Sequence, residues 1–313
     1  MKIPQIICLL CLAILMSCQT KAQETHLAKS NQKIDEKEVI KEEGDEKTEI
    51  ETPSYLSYSW LSEKAERDLI NSIQTPKGFK RVEVEKESFE EWLRFLPTQA
   101  ENSPVYYHNG SLKPQQNLHE AVLDIDIGKA DLQQCADATM RLRGEYLYST
   151  KQFDEIHFNF TNGDLANYEK WKSGYAIRIA NNKLQWYSSS KANGTYTSFK
   201  KYMKWIFMYA GTASLDKELK RKTDLRDIEA GDLLIKGGFP GHAVIVLDIC
   251  VNPATKEKLF MVAQSYMPAQ SIHVLKNFNQ PKLGVWYSVE HCLKNNIIQT
   301  PQWTFYPNQL KKF

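Results

Sequence analysis

Three residues have the types and spacing to share one piece of covalent chemistry: Cys135, His242 and Gln264. The reactive form of a cysteine is its thiolate, and a thiol nucleophile needs an imidazole within hydrogen-bond reach to take and return its proton. The base can come from far along the chain, and a third polar group orients it. Cys135 follows KADLQQ, in which Asp131 is a good N-cap and Gln134, three residues on, completes a capping-box pattern. The thiol therefore falls in the first turn of a helix, where the dipole and free amides favour the anion and lower its pKa. The bland reading is a small buried hydrophobe, the usual fate of a free cysteine.

His242 opens the apolar run HAVIVLDI directly after the turn GGFPG. Such a turn brings backbone close to a substrate and leaves the ring accessible, although a core histidine satisfied by one hydrogen bond fits the same pattern. On an unbroken strand His242, Val244, Val246, Asp248 and Cys250 share a face. Cys250 is then about 26 Å from His242 at strand rise, too far to be its partner. Gln264 interrupts the apolar strand KLFMVAQSY. If MPAQ is a turn and Tyr266 pairs with Ser271, Gln264 lies directly across from His273, and either of them can orient the imidazole.

The elements that must carry these residues follow from periodicity. SYLSYSWLSEKAERDLINSI is predicted as a helix, PKGFKRVEVE as a strand, SFEEWLRFLP as a short helix capped by Ser88, and AVLDIDIG as an alternating strand. A helix from Asp131 through Tyr146, a strand at GYAIRI and a helix capped by Ser198 and ending at Gly211 come next. The strands LLIKG, HAVIVLDI, KLFMVAQSY and SIHVLKN close the series, and strands clustered after helices imply α+β with a largely antiparallel sheet.

The chain begins with Lys2, an apolar stretch from Ile3 to Met16 and Leu-Met-Ser-Cys ending at Cys18. This reads as a signal peptide over residues 1–18. It ends in a lipobox-like sequence, with Cys18 acylated; ordinary secretion with cleavage near Ala22 is the alternative. Residues 19–53 hold no aromatic residue, six lysines and ten acidic residues, a charged tether unable to order itself. The domain is expected over 54–313, with an N-terminal elaboration at 54–130, a core at 131–276 and a C-terminal extension at 277–313. A net charge of +2 without a basic stripe argues against nucleic acid as a partner. With Cys8, Cys11 and Cys18 set aside, Cys135, Cys250 and Cys292 remain, and an odd number leaves at least one thiol free.

A cysteine at a helix start, GD before an apolar strand, then GHAVIV, then a strand with a polar residue before a turn resembles NlpC-type, papain-like cysteine peptidases and amidases over roughly Asp131 to Lys276. The resemblance implies N-terminal helices packed on an antiparallel sheet, with Cys135 as nucleophile, His242 as base and Gln264 as orienting residue. The whole chain also resembles a family of bacterial lipoproteins labelled at most as peptidases. That implies a lipid-anchored protein on the periplasmic or cell-surface face of a Gram-negative envelope; the NlpC-type resemblance implies a peptide or peptidoglycan stem as substrate. Where the family carries Asp-Cys-Ser-Gly, this chain has Gln134-Cys135-Ala136-Asp137.

The chemistry implied is acyl transfer to Cys135 with His242 as proton shuttle, without a cofactor, and without a metal because the histidines lack ligand spacing. Gln133 or Gln134 is a candidate oxyanion donor, and Tyr106, Tyr107, Tyr175, Arg178 and Tyr266 are candidate cleft residues by chain proximity. The rival reading is a catalytically inactive lipoprotein that keeps the papain-like fold and binds peptide or glycan, which the many tyrosines and tryptophans suit.

Overall fold

The computed structural model describes residues 49–313. The expected signal peptide, the acylated Cys18 and most of the expected tether lie outside the described residues. No described helix is long and apolar enough to cross a membrane.

In chain order the elements are α1 (Leu69–Ser72), β1 (Lys80–Arg81), α2 (Phe89–Arg94), β2 (His119–Val122), α3 (Cys135–Ser149), β3 (His157–Asn159), β4 (Leu165–Asn167) and α4 (Tyr168–Lys172). They continue with β5 (Tyr175–Ala180), β6 (Lys183–Ser188), α5 (Tyr196–Tyr209), α6 (Thr212–Glu218), β7 (Lys220–Arg221), β8 (Leu233–Lys236), β9 (His242–Val251) and β10 (Lys258–Gln264). The last are β11 (His273–Leu275), β12 (Trp286–Ser288), α7 (Val289–Asn295), β13 (Ile298–Gln299), β14 (Thr304–Phe305) and β15 (Leu310–Lys312). The protein is α+β, and its main sheet runs β2-β11-β10-β9-β8-β15-β7, with β1 added to β9 and β12 to β10. Every pairing in it is antiparallel.

β9 is the axis of the molecule. Its run reads as almost wholly apolar because both faces are covered. Ala243, Ile245 and Leu247 belong to the core covered by α3 and α2, while Val244 and Val246 belong to a second core shared with residues of α7 and the C-terminal segment around Phe305. The expected single face does not hold along its length. Met261 of β10 pairs with Asp248 but Val262 pairs with Val246, so Leu247 is an extra residue and the alternation inverts there. Beyond this bulge Cys250 joins the α3 side. Asp248 turns to two guanidiniums, accepting from Arg81 Nε at 2.6 Å and from Arg94 Nη2 at 2.7 Å.

Several predicted elements are shorter in the structure. The long helix expected over residues 54–73 is only α1, capped by Asp68. Upstream of it the aromatic rings prefer tertiary partners: Tyr58 and Trp60 both pack on Trp92, and Tyr58 donates its hydroxyl to the Trp92 carbonyl. The strand expected at AVLDIDIG ends at Val122, and GYAIRI becomes β5, paired only with β6 outside the main sheet. α5 is capped by Thr195, since the Ser198 hydroxyl is buried against Trp171 Nε1. Packing also starts before Ser54: Ile50 exchanges hydrogen bonds with the Asn71 side chain, and Thr52 donates to Asp68. The ordered chain therefore takes in the last residues of the expected tether.

Candidate active site

α3 begins three residues later than the capping pattern suggests. Gln134 is its N-cap, and the cap hydrogen bond runs from the Gln134 N–H to the Asp137 carboxylate at 3.1 Å. Cys135 is thus the first helical residue, where backbone N–H groups have no intrahelical partner. Asp131 does a different job: its Oδ1 accepts from the Ala269 N–H at 2.7 Å and from Gln134 Nε2 at 3.0 Å. Ser265 Oγ lies 2.9 Å from the carbonyl oxygens of both Gln133 and Gln270. The helix start is therefore tied to the turn that follows Gln264.

The predicted register is present, with Gln264 directly opposite His273. The two residues have different partners. His242 Nε2 lies 2.8 Å from Gln264 Oε1, whereas His273 Nδ1 faces the Ser271 carbonyl and its Nε2 is buried without a partner. Gln264, not His273, holds the imidazole. Tyr266, Trp303 and Phe305 surround the ring, at centroid distances of 4.8, 5.3 and 5.8 Å.

The thiol reaches the same place through the backbone. The backbone amides of Ala243, the residue next to His242, and of Ala136 and Cys135 lie close enough to the thiol to favour its anion. The hydrogen bonds of the described residues include none between the thiol and the imidazole; α3 and β9, whose first residues are Cys135 and His242, pack against each other. Burial nevertheless pushes the thiol up to about 11, and the Asp137 carboxylate adds to that rise against the amides. Burial also draws His242 down to about 4, opposed by its bond to Gln264. The low thiol pKa expected from the helix start is reversed, because desolvation outweighs the amides. The resting pair at neutral pH is a thiol and a neutral imidazole.

Gly241 has a steric role. A Cβ there would sit 2.4 Å from the Gly238 carbonyl oxygen and from Thr212 Oγ1. A side chain is excluded at the residue before His242 because the turn closes on itself there. At the tip of that turn Phe239 is 96% exposed, and Met267 is exposed in the turn after Gln264. These apolar side chains flank the strand ends that bear His242 and Gln264.

Other candidates lie elsewhere or are already engaged. Gln133 is buried, its Oε1 accepting from Arg141 Nη1 at 2.9 Å and its Nε2 directed at the Asp126 carbonyl. The Gln134 amide is engaged by Asp131. Both glutamine side chains are engaged elsewhere, which leaves the backbone N–H groups at the start of α3 as the candidate oxyanion donors. Tyr175 and Arg178 belong to the β5–β6 hairpin, where Tyr175 lies beneath Lys170 and Arg178 donates to Gln185. Tyr106 and Tyr107 bridge to the 269–271 segment next to the site. Cys250 and Cys292 are buried thiols, each pushed up to about 12 by burial. Among the described residues no group of three His, Cys, Asp or Glu side chains is placed to hold a metal ion.

Sequence reasoning missed Trp303 and Phe305, which wall the imidazole, and Gln302, whose Oε1 accepts from Gln264 Nε2 at 2.9 Å. These come from the C-terminal segment that periodicity marked only as an extension. No local pattern announces them, since their positions depend on β14 and β15 folding back onto β8.

No curated protein and no solved structure gives a significant match to the chain. A family model described as a domain of unknown function (4846) matches residues 69–312, a span that contains Cys135, His242, Gln264 and Gln302. On that match across most of its length, the protein belongs to the DUF4846 family.

Proposed function

We propose that the protein is a cysteine-dependent amide hydrolase with a papain-like, NlpC-type arrangement of a nucleophile helix on an antiparallel sheet. One observation carries the reading. The imidazole of His242 is held through Nε2 by Gln264, while the amide of the next residue, Ala243, is near enough to the Cys135 thiol at the start of α3 to favour its anion. With Nε2 engaged, Nδ1 is the nitrogen left to act as base.

The resting pair is neutral, so His242 takes the thiol proton as the sulfur attacks the amide carbonyl. The tetrahedral oxyanion is stabilised by N–H groups at the first turn of α3. His242 then protonates the leaving amine, and a thioester remains on Cys135. Water attacks it with His242 as base, releasing a carboxylic acid and restoring the thiol. The exposed Phe239 and Met267 beside the site suit an extended peptide. With the lipobox-like sequence at Cys18, this makes peptidoglycan stem peptide in the cell envelope the substrate class to try first.

The test is mass spectrometry of stem peptides incubated with wild type and with Cys135→Ser. Gain of one water at an amide, abolished in Cys135→Ser, supports the reading; equal hydrolysis by both proteins sinks it. The raised pKa of the thiol favours a second reading, a catalytically inactive lipoprotein that binds peptide or glycan. Saturable binding of the same stem peptides with no turnover would establish it.

A further inference from the structure

The polar chain that begins at His242 does not stop at Gln264. Gln264 Nε2 donates to Gln302 Oε1, and Lys113 Nζ donates to the same oxygen at 2.9 Å. Gln302 sits in the turn between β13 and β14, and Lys113 in the loop between α2 and β2. Lys113 is 4% exposed, and among the described residues no carboxylate pairs with it. Keeping a cation buried against an amide oxygen is costly. Burial draws Lys113 down to about 8, which still leaves an ammonium at neutral pH. The other titratable groups facing it are His119 and His273, with ring centroids 5.7 Å apart. Burial draws both down, His273 to about 3, so neither adds a competing cation.

An ammonium can only donate. It therefore selects the oxygen end of the Gln302 amide. That oxygen attracts the NH2 end of Gln264, leaving Gln264 Oε1 facing His242. An amide oxygen only accepts, so His242 Nε2 must carry the proton and Nδ1 must keep its lone pair. We propose that Lys113 and Gln302 are positioning residues that set the tautomer of His242, holding Nδ1 free to act as the base for Cys135. The functional meaning of this inference rests on the nucleophile-and-base reading above; the tautomer itself does not.

Ring-nitrogen NMR of His242 in the full chain near neutral pH reads the tautomer without any substrate. Wild type is expected to show the Nε2–H form alone. Lys113→Met and Gln302→Leu each should move the tautomer ratio toward Nδ1–H by about tenfold, the preference one ordinary hydrogen bond confers. Gln302→Glu should retain the wild-type form, because an ionised carboxylate also only accepts. A merely structural role would lower the melting temperature of these variants and leave the tautomer unchanged. Persistence of the Nε2–H form in both Lys113→Met and Gln302→Leu overturns the proposal, as does an Nδ1–H wild type. If Lys113→Met does not fold, Gln302→Leu against Gln302→Glu decides alone. Hydrolysis that survives Cys135→Ser would defeat the catalytic reading and leave the tautomer result standing, so the two failures are distinguishable.

Discussion

Two polar networks back the candidate site, and they are built differently. Behind Cys135 lies a set of paired ions. Arg141, buried inside α3, donates Nε to Glu145 at 2.6 Å and Nη2 to Asp126 at 3.2 Å, and its Nη1 holds Gln133. Tyr196 adds a hydroxyl to Glu145 at 2.8 Å. Behind His242 lies a file of amides, Gln264 and Gln302, ended by Lys113. Buried ions are tolerable only as complete sets, so the first network fixes where the helix start sits and its loss is a stability event. Amides in series transmit the direction of a hydrogen bond, so the second fixes where a proton sits and its loss is a chemical event.

The largest effect expected from this contrast is Arg141→Met. It strands Glu145, whose carboxylate has no exit to solvent, and should lower unfolding free energy by about 3–5 kcal/mol in urea titration. A loss under about 1 kcal/mol would mean that the ion set contributes packing only.

Acid should reach the base side first. His242 and His273 are buried neutral, with folded values drawn by burial to about 4 and about 3. The unfolded chain binds protons at these histidines below about 6.5 while the folded one does not, so stability falls as pH drops from there toward 4. The slope is about 1.4 kcal/mol per pH unit for each histidine. Asp232, raised by burial to about 6, works in the opposite sense over part of that range. His273→Phe should flatten the slope measured by denaturation at several pH values. An unchanged slope would show that His273 is not a buried neutral group.

Gln264→Ala should lower turnover by roughly ten- to a hundredfold, about 1.4–2.7 kcal/mol in the barrier, with substrate affinity nearly intact. His273→Ala should lower the melting temperature and spare turnover. Equal losses of turnover in the two variants would erase the distinction between orienter and neighbour.

The smallest effect concerns the thiols. Iodoacetamide should label half-buried Cys135 several times faster than Cys250 or Cys292, following access. Because burial raises Cys135 to about 11, its rate should keep climbing through pH 9. A plateau reached below about 8.5 would mean a thiolate–imidazolium pair at rest, and the amides at the start of α3 would then outweigh burial.

Strands with a strong apolar signal were legible: β8 to β11 lie where LLIKG, HAVIVLDI, KLFMVAQSY and SIHVLKN place them, and the Gln264–His273 register follows from the MPAQ turn. Elements whose residues had a better tertiary offer were not. Tyr58 and Trp60 left a helical pattern to pack on Trp92, and Ser198 left a cap to bind Trp171. Propensity is worth tenths of a kcal/mol per residue, and burial of one aromatic ring outweighs several of them.

Local residue types alone therefore determined the α+β class, the place of Cys135 at a helix start and the pairing that sets Gln264 opposite His273. Each depends on neighbours a few residues apart, or on a turn whose length counts the register. Tertiary structure alone decided which of those two residues holds His242, that the Gln133 and Gln134 side chains are engaged elsewhere, and that the thiol and imidazole rest neutral. It also brought Lys113 and Gln302 to one oxygen from loops 189 residues apart. Desolvation and the choice between donor and acceptor ends of an amide are properties of an assembled interior. Both exist only once distant segments have closed around the ring.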